Sequence, residues 1–267
     1  MAESAEMSFW DHLDALRRVL VRVAVVVGVL AVGAFVAMPW IFDNVIMAPA
    51  SGSVVTYRLF DAIATNNGFP ELATDPSFRV DIVSIELSSQ LFIHLSASAW
   101  TAFLLAFPII IYLLWGFVAP GLHENERRGA GRAFIFGNLM FFAGVAAGYF
   151  LVFPLALRFL AAYRLSEAIR PIVSLDSYMD NFFTLLVVMG AVFELPLVAW
   201  MLGKMGILRR SFFKKYRRHA ILALLVLAAL ITPTGDPFTL FIVFLPIYAL
   251  WEAAAILVPP AVPEQAD

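Results

Sequence analysis

Residues 117–128 read FVAPGLHENERR and separate two long apolar stretches of the chain. Pro120 followed by Gly121 ends the preceding helix, because proline lacks a backbone donor and glycine tolerates turn conformations. The acids and bases that follow keep this turn in water, which predicts a loop at a membrane surface. From these residues alone two interpretations stay open: a solvated connector between two spans, or a binding site.

The composition is that of a membrane protein. Of the 267 residues, 62% are hydrophobic and 14% are charged, whereas a soluble domain carries about 25% charged residues. The net charge of -2 provides no basic field for nucleic acid. The chain has no cysteine, and its four histidines lack the spacing of metal ligands. We therefore expect no cofactor, no metal site and no catalytic residue.

Six apolar stretches predict an all-α membrane protein with six transmembrane helices. A helix needs about 20 apolar residues to cross the hydrocarbon layer. The fifth stretch is shorter than that, which predicts that the last two helices form a short hairpin; a re-entrant loop is the alternative. The stretches are Val19–Met38, Leu91–Ala119, Ala133–Leu157, Phe182–Leu202, Ala220–Ile231 and Phe238–Val258.

We expect residues 1–258 to form a single membrane domain. Residues 8–20 have apolar positions at helical spacing, which predicts an amphipathic helix at the interface before the first span. Residues 39–88 are the longest connection and predict an external cap over the bundle, built from short pieces. The proline-rich tail 259–267 is expected to be disordered.

The distribution of lysine and arginine predicts the orientation. One set of loops carries thirteen of these residues and the opposite set carries five. The positive-inside rule therefore places both termini in the cytoplasm. Such a chain is expected in the inner (plasma) membrane of a prokaryote as a multipass protein.

A few polar residues lie in or next to the predicted spans. Glu194 lies inside the fourth span, where a carboxylate costs a few kcal/mol unless it is paired, hydrated or protonated. Pro196 removes a backbone hydrogen bond beside it. Glu194 is either a protonated acid that joins helices or a functional acid that faces water or a partner helix. Asp236 is predicted to cap the last helix, and His94 and Asn138 to donate hydrogen bonds in helix packing.

Short motifs spread over nearly the whole chain occur together. They are Phe9-Trp10-Asp11-His12-Leu13 with Leu16-Arg17-Arg18, Pro49, residues 117–122 with Glu126-Arg127-Arg128, Phe193-Glu194-Leu195-Pro196, Ile231-Thr232-Pro233 with Asp236, and Pro246-Ile247-Tyr248 through Glu252. Their order and spacing resemble those of the TatC family, the multispanning receptor subunit of the twin-arginine protein translocase.

This resemblance implies a fold and a function. The fold is a concave, glove-like bundle of six helices with both termini in the cytoplasm. The function is to bind arginine-pair signal peptides of folded export cargo at the cytoplasmic surface. The residues that the resemblance assigns to this binding are Glu126, Phe117, Arg17, Leu16, Pro120 and Asp14. A carboxylate such as Glu126 suits bidentate pairing with a guanidinium, which a lysine cannot reproduce.

The resemblance also implies partners. Single-span proteins of the TatA/TatB type would assemble with the chain in the lipid bilayer, in a complex containing several copies of it, and transport would draw on the proton motive force. Glu194 and Pro196 are the positions matched to partner coupling, and Pro49 and Asp236 are matched external positions. The chain departs from the family pattern at two places. Ala15 stands where the family has a glutamate, and Thr234-Gly235 stands between Pro233 and Asp236 where the family has a single proline.

A proton-coupled small-molecule transporter is the alternative function. The acids Glu194 and Asp236, in or near the membrane, favour it. The lack of an internal repeat and of paired broken spans argues against it.

Overall fold

The structure is a computed structural model that describes residues 9–52, 54–66, 78–118, 130–163, 165–166, 172–232 and 235–258. Most of these residues are helical. The helices are α1 (Phe9–Ile41), α2 (Val55–Asn66), α3 (Ser89–Val118), α4 (Ala130–Ala147), α5 (Phe153–Ala162), α6 (Leu175–Phe193), α7 (Leu195–Lys204), α8 (Arg210–Lys215), α9 (Arg217–Ile231) and α10 (Pro237–Leu257). Two π-helical turns, Phe42–Ile46 and Gly148–Val152, continue α1 and join α4 to α5.

The expectation of an all-α membrane protein is confirmed. In the described part of the chain, five helices are long and apolar enough to cross a membrane: Leu13–Ile46, Ser89–Phe117, Phe134–Ala162, Leu175–Lys204 and Pro237–Leu257. The fifth predicted span is α9, whose 15 residues rise about 22 Å. It is as short as its sequence predicts, and its crossing of the membrane stays a prediction.

Several boundaries differ from the prediction; the third span, for example, continues to Ala162, five residues beyond the predicted Leu157. The fourth span begins at Leu175, seven residues before the predicted Phe182, because Ser174 caps the helix by accepting from the Ser177 amide. The polar residues after this cap occupy the first turns, which the hydropathy pattern assigned to a loop. Residues 9–41 form one uninterrupted helix, so the amphipathic segment is continuous with the first span; its location at the interface stays a prediction.

Backbone contacts divide the chain into two compact units, Met1–Pro39 with His94–Asn138, and Trp40–Ile93 with Leu139–Asp267. In the first unit, Pro39 lies inside α1 and cannot donate to the carbonyl of Phe35, four residues earlier. His94 Nε2 lies 2.8 Å from this oxygen, and its ring stacks on Phe35 at 3.9 Å. The His94 N–H thus replaces the missing donor, as expected of a packing residue in lipid.

Asn138 behaves differently from His94. Its side-chain amide donates to the carbonyl of Phe134 in its own helix, at 2.8 Å. We expected this amide to bond to another helix, but in the structure it bonds within its own helix. Intrahelical bonding of this kind satisfies a polar group without joining two spans.

Two glycines of the third span allow it to pack closely against the fourth span in the second unit. A Cβ on Gly144 would collide with the carbonyl oxygen of Met189 and lie 2.8 Å from the Cβ of Phe193, and one on Gly148 would lie 3.2 Å from the Leu185 carbonyl oxygen. These glycines of the third span, four residues apart, therefore let the backbone of α6 approach closely. We call this contact the glycine seam.

The connection between the first and second spans contributes a short helix and a short strand. Residues 82–83 form β1, which pairs in parallel with β2 (Val173–Ser174). This two-residue ladder ties the segment before α3 to the start of α6, and sequence patterning did not predict it. The expected cap of short pieces is consistent with α2, and its side of the membrane stays a prediction.

Candidate functional site

The residues matched to signal-peptide binding begin in the second turn of α1. Asp14 and Arg17 are exposed, and Leu16 is half-buried. Arg18 Nε donates to the backbone carbonyl of Asp14 at 3.3 Å, which is an ordinary contact along a helix. The Asp14 carboxylate and the Arg17 guanidinium are thus presented to solvent on a rigid helix. A charged peptide can reach both groups without unfolding the helix.

The other matched binding residues lie around the loop that separates the second and third spans. Phe117 is half-buried in the last turn of α3. Pro120 and Glu126 lie outside the described residues, so their assignment rests on the sequence alone.

Glu194 marks a break in the fourth span. It is the single residue between α6 and α7, and its amide donates to the Ala191 carbonyl at 3.1 Å, one residue short of α-helical spacing. Pro196 is buried in the first turn of α7, so the proline breaks the helix beside the acid, as the sequence predicts. Glu194 itself is half-buried.

The Glu194 carboxylate carries an unused acceptor. Its Oε1 atom is buried and has no hydrogen-bond partner among the described residues. An unpaired carboxylate oxygen in a span is costly. This arrangement can serve either a neutral, protonated acid or an acid that takes a donor from another molecule, so both interpretations of Glu194 stay open.

Pro49 lies in a cluster of tyrosines. Its carbonyl is 3.1 Å from the Tyr57 hydroxyl, which also lies 3.2 Å from the Pro154 carbonyl. Burial raises the pKa of the Tyr57 phenol, so this group stays a protonated donor. Tyr149 and Tyr178 donate to the carbonyls of Val45 and Ile46 at 2.9 and 2.5 Å. Pro49 therefore belongs to a backbone segment whose carbonyl oxygens accept hydrogen bonds from tyrosine hydroxyls.

Asp236 caps α10, as its sequence predicts. Its Oδ1 accepts from the Thr239 amide at 2.7 Å, and Pro237 occupies the first helical position. The pairing is local and satisfies one of the amides that a helix start leaves without a partner. The structure thus gives Asp236 a structural role at the start of the last span.

The charged residues near the end of α10 form a network that the sequence did not predict. Arg217 donates from Nε to Glu252 Oε1 at 2.7 Å and from Nη2 to Oε2. The Tyr248 hydroxyl donates to Glu252 Oε1 at 2.7 Å. Glu252 therefore joins the start of α9 to α10.

Some of these contacts could have been predicted from signals in the sequence. The spacing of Gly144 and Gly148 is a small-xxx-small pattern. Each proline in a span also marks a carbonyl that needs a donor four residues earlier. Pro154 frees the carbonyl of Phe150, and the Thr56 hydroxyl donates to it. The pattern locates such carbonyls, but it does not identify the donors.

Long apolar helices, the fourth span of which is broken at a half-buried acid, define a multispanning all-α membrane protein. The profile of the family described as Sec-independent protein translocase protein (TatC) matches residues 11–246. The chain belongs to the TatC family. The resemblance deduced from the short motifs is thereby confirmed, and the chain is a subunit of a Sec-independent protein translocase in the bacterial inner membrane.

Individual relatives agree with this assignment. A Sec-independent protein translocase protein TatC of Deinococcus radiodurans is 35% identical over 96% of this chain and 87% of its own length. One from Blattabacterium is 31% identical over 94% of each chain. A crystal structure of a twin arginine translocase receptor, TatC, in DDM matches 93% of this chain and 99% of its own, with a TM-score of 0.73 and 26% identity. Family membership does not favour the small-molecule transporter.

Proposed function

We propose that the chain is the signal-peptide receptor and core subunit of a twin-arginine translocase. It binds arginine-pair signal peptides of folded proteins at its cytoplasmic surface and recruits single-span partners of the TatA/TatB type. Transport draws on the proton motive force. The observation that carries this proposal is the family match over residues 11–246, which contains both stretches of matched binding residues.

Signal-peptide recognition is assigned to Glu126, supported by Asp14, Leu16 and Arg17 on α1 and by Phe117 and Pro120. Exposure of Asp14 and Arg17 supports a surface that a peptide can reach. A charge-assisted pair between a carboxylate and a guanidinium contributes about 1.5–3 kcal/mol. The pair of arginines in the peptide is thus read by geometry as well as by charge.

Photo-crosslinking of a twin-arginine signal peptide to the protein in membranes tests this assignment. Glu126→Gln should lose the crosslink while the protein still inserts. Glu86→Gln, the same change at an exposed glutamate of the 39–88 connection, is the matched control and should keep it. An unchanged crosslink in Glu126→Gln would show that Glu126 is a solvated neighbour of Arg127.

The departure at Ala15 gives a second test of the same surface. Restoring the family's glutamate there supplies a second carboxylate, so Ala15→Glu should bind the peptide several-fold to about thirty-fold more tightly. Ala15→Gln is the control and should gain much less. Equal affinities for the parent and both variants would point to Asp14 or Glu124 as the second acid.

Partner assembly is assigned to Glu194. Its unpartnered Oε1, next to the break at Pro196, supports an acid that accepts a bond from a partner helix. Glu194→Ala should keep peptide crosslinking and lose co-purification of the single-span partners, with loss of export. Glu194→Gln keeps the size and an acceptor oxygen, so it should reduce co-purification and export less than Glu194→Ala does. Wild-type co-purification and export in Glu194→Ala would reduce Glu194 to a packing residue.

We place both termini in the cytoplasm on the basis of the lysine and arginine distribution. Because the chain has no cysteine, single introduced cysteines can be labelled without background. Ser177→Cys should react with an impermeant reagent from outside the cell, and Ser211→Cys should not; both serines are exposed. The reverse pattern would overturn this orientation.

A further inference from the structure

A cavity of about 370 Å³ lies inside the second unit, among the spans at the end that carries β2. It is bounded by α5, by the first three turns of α6 and by Thr239 at the start of α10. Phe159 stacks on Phe238 at 3.8 Å, which sets the start of α10 level with the end of α5. The function proposed above does not use this cavity.

Most of the polar groups of the cavity lie toward one end, and Asn181 lies about two turns further along α6. Ser174, Ser177 and Thr239 belong to helix starts, whereas Phe153 and Leu185 lie deeper along the spans. From Ser174 to Leu185 the chain advances eleven residues, about 16 Å. This is close to half of the roughly 30 Å hydrocarbon layer. The cavity therefore runs parallel to the spans over the depth of about one leaflet, polar at the helix ends and apolar further in.

Thr239 contributes a hydroxyl that the protein does not use. The residue is 1% exposed, and its Oγ1 has no hydrogen-bond partner among the described residues. Its neighbours are engaged: Tyr178 donates to the Ile46 carbonyl, and Asn181 donates to the Ser177 carbonyl at 2.7 Å. A buried hydroxyl without a partner is unfavourable, so Thr239 favours a ligand with a hydrogen-bonding oxygen.

The size of the cavity decides the class of ligand. A protein cavity of about 150 Å³ holds benzene, so a cavity of this size holds roughly twelve to fifteen carbon atoms. That is most of the length of one lipid tail.

The rim is apolar and exposed. Leu160, Ile85 and Ile172 line the cavity and are 37%, 74% and 63% exposed. Such a rim favours entry of an apolar chain from the bilayer over exchange with bulk water. We propose that the cavity binds one acyl chain of a membrane phospholipid, with an ester oxygen accepting from the Thr239 hydroxyl and the tail lying between α5 and α6.

The test uses the full chain purified from membranes, stripped of loosely bound lipid, and then titrated with dioleoyl phosphatidylcholine. Native mass spectrometry counts retained phospholipid, and thermal unfolding reports binding. The parent should retain one phospholipid per chain after stripping. Thr239→Val should weaken binding about fivefold, the effect of one neutral hydrogen bond. Thr239→Ser keeps the hydroxyl and should bind like the parent.

A cavity-filling variant provides an independent measurement. Ala156 lines the cavity and is 4% exposed, so Ala156→Phe should abolish retention of the phospholipid. Ala162→Phe is the matched control, since Ala162 is exposed and lies beyond the lining. Should Ala156→Phe fail to fold, the two Thr239 variants decide. A parent that retains no stoichiometric phospholipid, or equal binding by Thr239→Val and Thr239→Ser, would overturn the proposal and indicate water in the cavity.

Discussion

The two ends of the second unit are held by different chemistry. At the end that carries α2, the hydroxyls of Tyr57, Tyr149 and Tyr178 donate to backbone carbonyls; we call this the tyrosine end. Fifteen residues along α10 from its start, about 22 Å away, Arg217, Tyr248 and Glu252 form a charged network, the arginine end.

The difference reflects burial. Tyr57 and Tyr178 are 2% and 1% exposed, and a neutral hydroxyl can be buried on a carbonyl without the cost of removing a charge from water. The Arg217 and Glu252 side chains are 58% and 31% exposed, so their charges stay hydrated. We therefore expect the tyrosine end to contribute more to stability, and the arginine end to respond more to salt.

The largest effect is expected at the glycine seam. Gly144→Leu places a side chain against the backbone of Met189 and should lower the free energy of unfolding by about 3 kcal/mol or more. Gly28→Leu is the control, because nothing lies within 4 Å of a Cβ on Gly28. Thermal unfolding in detergent measures both. Equal stability of the two variants would show that the third and fourth spans are not closely packed.

The second effect is expected at the tyrosine end. Tyr178→Phe removes the donor to the Ile46 carbonyl while keeping the ring, which should cost about 2 kcal/mol. The control is Tyr163→Phe, the same change at a residue that is 65% exposed, and it should leave the unfolding temperature unchanged. Identical losses in both variants would remove the distinction between buried and exposed hydroxyls.

The third effect concerns the cap of the last span. Asp236→Ala removes the acceptor of the Thr239 amide and should cost about 1 kcal/mol. Asp236→Asn keeps a capping oxygen and should recover most of that loss. If Asp236→Asn is as damaging as Asp236→Ala in thermal unfolding, the charge of Asp236, and not its cap, stabilises this end.

Much of the helical fold follows from the sequence, because hydropathy and proline positions are local signals. Asp236 as a cap and the break at Pro196 depend on neighbours within four residues, and the structure agrees with both. The tyrosine end could not be derived in this way. Tyr178 and Ile46 are 132 residues apart, and only packing brings a donor to a given carbonyl. The same reason explains why β1 and β2, and the pair of Arg217 and Glu252, were not predicted.

The residues of the candidate site also fall into two groups: those whose positions follow from local sequence, and those whose roles depend on contacts with distant residues or other molecules. The positions of Asp14, Arg17 and Glu194 follow from helix periodicity and hydropathy, and the structure presents the first two to solvent. The proposed binding role of Glu126 depends on a contact with another molecule and on residues outside the described ranges. No local pattern of charge distinguishes such a contact from solvation, so this role rests on the family motif.

The smallest effect is expected at the arginine end. Arg217→Gln removes a bidentate partner of Glu252, but both groups are partly hydrated, so the loss of stability should be smaller than in Tyr178→Phe. It should also shrink with salt, because the Debye length falls from about 30 Å at 0.01 M to about 3 Å at 1 M. Arg217→Lys keeps the positive charge but not the bidentate hydrogen bonding of the guanidinium, so it should recover only part of the lost stability. Thermal unfolding of Arg217→Gln, Glu252→Gln and the double variant at both salt concentrations gives the coupling between the two side chains. A coupling that is larger than the Tyr178→Phe loss and insensitive to salt would mean that this end, too, is held by desolvated contacts.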